Sequence, residues 1–72
     1  MSIGKKALLI DALKSKYEAT MKDCKAGLHI YINDSVGVGE HPQITEELDK
    51  LLEKYADAEG KLQVMKKLES EL

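Results

Sequence analysis

The chain contains no arginine, no tryptophan and no phenylalanine, and among its 72 residues there is one cysteine and one proline. Each scarcity excludes something. Guanidinium forks are the usual means of bidentate phosphate or base-edge recognition, and Phe or Trp rings are the usual stacking platforms for bases. Their absence argues against nucleic-acid binding and leaves a lysine face as the only route to RNA. The lone Cys24 cannot close an internal disulfide, and no CxxC or HxxxH spacing marks a structural metal. No apolar run approaches the roughly 20 residues of a membrane span, and no signal-peptide core is recognised. The expected setting is therefore soluble, reducing and cytoplasmic, with no membrane partner and no cofactor. Cys24, between Asp23 and Lys25 at an apolar-stripe spacing, is expected as a small buried hydrophobe rather than a reactive thiol.

What is abundant is balanced charge. A third of the residues are charged, the net charge is −2, and all eleven cations are lysines. The length makes one domain, residues 1–72, and a core of that size supplies about 3–5 kcal/mol of net stability. Self-association or docking on a partner is the expected source of further burial.

The strongest pattern lies in the second half. Ile44, Leu48, Leu51, Tyr55, Ala58, Leu62 and Met65 alternate steps of four and three, the signature of a helix that packs on other helices. Pro42 is tolerated in a first turn, Glu46, Glu47 and Asp49 lie near the positive end of the helix dipole, and Lys66 and Lys67 lie near its negative end. Glu46 with Lys50, and Asp57 with Lys61, have the acidic-first spacing of four that stabilises a helix by a few tenths of a kcal/mol. These signals predict a helix over about 42–70. Gly60 costs it about 1 kcal/mol relative to alanine. It marks either a bend or, with Ala56 and Ala58, a place where another helix approaches closely.

The first half is less decided. Leu9, Leu13, Tyr17, Met21 and Cys24 form a stripe with helical spacing, and Ser2 is placed to cap a helix starting near Ile3. Lys22, Lys25 and then Gly27 look like a helix end, after which Leu28 to Asn33 alternates as a strand does. A solitary strand, however, leaves its backbone groups unpaired. Leu28 followed by Tyr31 or Ile32 continues the stripe in phase, and a helix over about 3–33 matches the length of its successor. Two matched rods joined by a connector at 34–41 predict an antiparallel two-helix hairpin, all-α, self-associating into a four-helix bundle or a larger helical oligomer.

The connector holds the candidate partner- or ligand-binding residues: Asp34, Gly37, Gly39, Glu40 and His41, with Tyr31 just before them. A Gly-x-Gly before a helix N-terminus offers free backbone NH groups to an anion. A phosphate loop of known type also requires a preceding strand in a parallel sheet, so Val36 and Val38 are read first as plugging the end of the hairpin. His29, Asp34, Glu40 and His41 match no metal-ligand spacing, and a two-helix hairpin offers no dry pocket for acid–base catalysis. An oligomer would create one only at a subunit junction lined by Tyr31, Glu40 and His41. The chain is read as not an enzyme.

The run Tyr31-Ile32-Asn33-Asp34-Ser35-Val36-Gly37-Val38-Gly39-Glu40-His41-Pro42, followed by an acidic helix, resembles a segment of small uncharacterised proteins of tailed phages, including T-even-like phages and cyanophages. The resemblance covers most of the chain from about Leu13, and Val36 to His41 is its specific part. Those proteins often carry Asn-Asn-Pro where this chain has Asn33-Asp34-Ser35, so the helix stop after residue 33 is less sharply marked here. The resemblance implies a product of the host-cell cytoplasm that acts on a host or phage protein, and it implies no particular activity.

The leading expectation is a non-enzymatic interaction protein that forms homo-oligomers, dimers first. Its interface is expected to use Leu13, Tyr17, Met21, Ile44, Leu48, Leu51, Tyr55, Ala58, Leu62 and Met65. One alternative is an oligomeric protein that sequesters a small molecule or nucleotide through the connector and nearby lysines. Another is an RNA-binding hairpin dimer.

Overall fold

The computed structural model describes residues 4–33 and 43–72. The described residues form two α-helices, α1 (Lys5–Asn33) and α2 (Gln43–Leu68). At 1.5 Å per residue they are about 43 Å and about 39 Å long, the matched pair that an antiparallel hairpin needs. Three contacts define their direction. Gly27 of α1 faces Leu51 of α2, Tyr17 faces Lys61, and Lys14 bonds to Glu69, so position rises along one helix as it falls along the other. The all-helical hairpin predicted from the apolar stripes is what the chain forms.

Residues 28–33 are helical, and the alternating reading of Leu28 to Asn33 as a strand is set aside. Gly27 lies inside α1 rather than at its end. In the last described turn of α1 the Asn33 Nδ2 group donates to the backbone carbonyl of His29, four residues back, at 3.1 Å. Ser2, the proposed cap at the other end, lies outside the described residues. The second helix ends at Leu68 rather than near 70, and the chain closes with the amide of Glu71 donating to the Leu68 carbonyl at 2.8 Å.

The core runs as a narrow line between the helices. Only Cys24, Ala58 and Leu62 are buried among the described residues, at 2%, 4% and 8% exposure. Cys24 occupies the middle of this line as a free thiol, in the structural role its spacing predicted. Around it Tyr17, Met21, Leu28, Leu48, Leu51, Tyr55 and Met65 are half-buried, as two helices without a third layer can bury only one stripe of each.

The close approach between the helices falls at Gly27 rather than at Gly60. A Cβ on Gly27 would lie 3.2 Å from Leu51 Cδ1, whereas one on Gly60 would meet nothing within 4 Å. On the surface of α2, Asp57 and Lys61 pair at 3.1 Å as their spacing predicted. Lys50, however, reaches Glu47 at 3.5 Å, three residues away, in place of the expected partner Glu46.

Candidate functional site

Of the residues expected to bind a partner or ligand, Asp34, Gly37, Gly39, Glu40 and His41 lie outside the described residues. Tyr31 is placed on the last turn of α1, exposed, between two more exposed apolar side chains, Ile30 and Ile32. Consecutive helix residues point about 100° apart, so the three spread around the last described turn of α1.

The residues expected at an oligomer interface line the junction between the two helices of one chain. Ala58 and Leu62 are buried there, and Tyr17, Met21, Ile44, Leu48, Leu51, Tyr55 and Met65 are half-buried, each with a part of its surface open on one flank. Leu13, on the same α1 stripe, remains exposed.

Two flanks of the hairpin remain. On one, Tyr17, Asp57, Gly60, Lys61, Val64, Met65 and Leu68 line an open groove. Val64 and Leu68 follow Gly60 at successive steps of four, one turn apart each, which places them in a row beside the heptad stripe rather than on it. The row was missed in the sequence because the heptad dominates the pattern; its signal is apolar residues at spacing four that the heptad leaves unused. Lys61 stands over this flank with its Nζ 5.9 Å from the Tyr17 ring centroid while pairing with Asp57. Such an exposed cation–π contact contributes about 0.5–1 kcal/mol.

Next to the groove, Lys16, Tyr17, Thr20, Lys54, Asp57 and Lys61 surround a shallow depression. Its lining includes three lysines, one tyrosine, one threonine and a single carboxylate, Asp57, which Lys61 already pairs with. The Thr20 hydroxyl is engaged with the Lys16 carbonyl at 3.0 Å. The opposite flank, around Glu18, Met21, Lys22, Lys25, Tyr55 and Leu62, also mixes charge with apolar surface.

No family model, curated protein or solved structure matches the chain. Among the described residues no group of three or more His, Cys, Asp or Glu side chains converges as a metal site would require. His29 lies beside Asn33, with Nδ1 3.4 Å from its amide nitrogen. No described helix is long and apolar enough to cross a membrane.

One long-range polar contact reinforces the hairpin at its open end. Lys14 Nζ donates to Glu69 Oε2 at 2.8 Å, across 55 residues of sequence. The hydrogen bond to Glu69 raises the Lys14 pKa above the ordinary lysine value, partial desolvation works against it, and the charges of Glu69, Asp11 and Glu18 add to the rise.

Proposed function

We propose that this chain is a small non-enzymatic interaction protein that self-associates through apolar helix surface and binds a protein partner near its connector. The observation that carries the reading is the ratio of covered to uncovered apolar surface. Among the described residues three side chains are buried, while Leu8, Leu9, Leu13, Ile30, Tyr31, Ile32, Leu52, Val64, Leu68 and Leu72 are exposed. Apolar surface on this scale, arranged along helices, is what helical assemblies and partner-binding hairpins use. The exposed Ile30, Tyr31 and Ile32 on the turn before the connector support that end for the partner, with Glu40 and His41 as its polar determinants. The resemblance of residues 31–42 to tailed-phage proteins supports a phage product acting in the host-cell cytoplasm on a host or phage protein.

Sedimentation equilibrium at micromolar concentration tests self-association, with the expected mass a multiple of the 8.0 kDa chain. A stable monomer with a cooperative melt would refute it. For the partner, pull-down from host cells with wild type and with a Glu40→Ala, His41→Ala double variant is expected to show capture lost in the variant while its melting temperature shifts little. Equal capture by both would remove the connector and move recognition to the helix faces.

A second reading, sequestration of an anionic small molecule such as a nucleotide, is supported by one arrangement: Lys16, Lys54 and Lys61 line the same shallow depression as Tyr17. Ammonium groups bind phosphate as point charges and a tyrosine ring receives a base by stacking. A ligand that binds the folded state raises its melting temperature by mass action, so micromolar nucleotide is the probe. An unchanged melt across mono-, di- and cyclic nucleotides would exclude this reading.

A further inference from the structure

We draw no further inference here: the strongest candidate, the exposed face at the start of α1 that carries Lys5, Leu8, Leu9, Ala12 and Lys16, is an unpartnered helix face, and nothing in the structure shows what covers it.

Discussion

Gly27 and Leu51 mark a close approach between the two helices. At 3.2 Å from a terminal methyl of a half-buried leucine, an added Cβ asks Leu51 to shift by a few tenths of an ångström, and helix propensity returns about 1 kcal/mol. Gly27→Ala is therefore expected to change stability by less than about 1 kcal/mol, whereas Gly27→Leu, which forces the helices apart, is expected to lose about 1–3 kcal/mol in urea unfolding. Equal effects would mean that the helices are not in contact there. In the same experiment Leu62→Ala, which empties part of the narrow core, is expected to cost about 2–4 kcal/mol, and Lys50→Ala, a surface change, under about 0.5 kcal/mol. The roles of Leu62, Ala58 and Cys24 were legible in the sequence, because burial repeats with the helical period and these residues keep that period. The role of Gly27 was not. A glycine before an alternating segment has the same local appearance whether it ends a helix or admits a neighbour's side chain, and only the position of Leu51 across the hairpin distinguishes the two.

Each helix draws its length from signals of different range. The extent of α2 follows from local charge and periodicity and was legible to about two residues, its end falling at Leu68 rather than near 70. The last turns of α1 were ambiguous because Leu28, Ile30 and Ile32 alternate with polar or aromatic residues, and that alternation does not correspond to burial: Ile30 and Ile32 are both exposed. Continuity through Gly27 makes a prediction. Ala26→Pro breaks the ladder within α1 and is expected to cost about 3 kcal/mol, with helicity lost over the last turns. A near-neutral effect would restore the helix end at Lys25. The Lys14–Glu69 bond, by contrast, is invisible to any local pattern because 55 residues separate its partners. Its pH dependence follows from the direction of the shift. The Lys14 pKa is raised in the folded chain above the ordinary 10.5, so its contribution is whole below 10.5 and is lost as pH rises through the folded value. The difference in melting temperature between wild type and Lys14→Met is expected to shrink as pH rises past 10.5. A difference that stays constant would show that the ammonium charge is not its source.

The molecule as a whole is a rod, 56 Å long and 21 by 13 Å across, with a radius of gyration of 16.6 Å. A compact domain of 72 residues has a radius of about 11 Å. The hairpin reaches its shape by placing nearly all its apolar side chains along one line and its two flanks, and one line of contact leaves the flanks uncovered. Within one chain the heptad of α2 lies against α1, with Ala58 and Leu62 buried and Ile44, Leu48, Leu51, Tyr55 and Met65 half-buried. The proposed self-association would couple folding to assembly, because among the described residues only three side chains are buried and a neighbour would cover more. Thermal unfolding followed by circular dichroism over about a hundredfold range of protein concentration reads that coupling. The melting temperature is expected to rise steadily with concentration; a melt that is cooperative and identical at every concentration, from a species of 8.0 kDa, would contradict it.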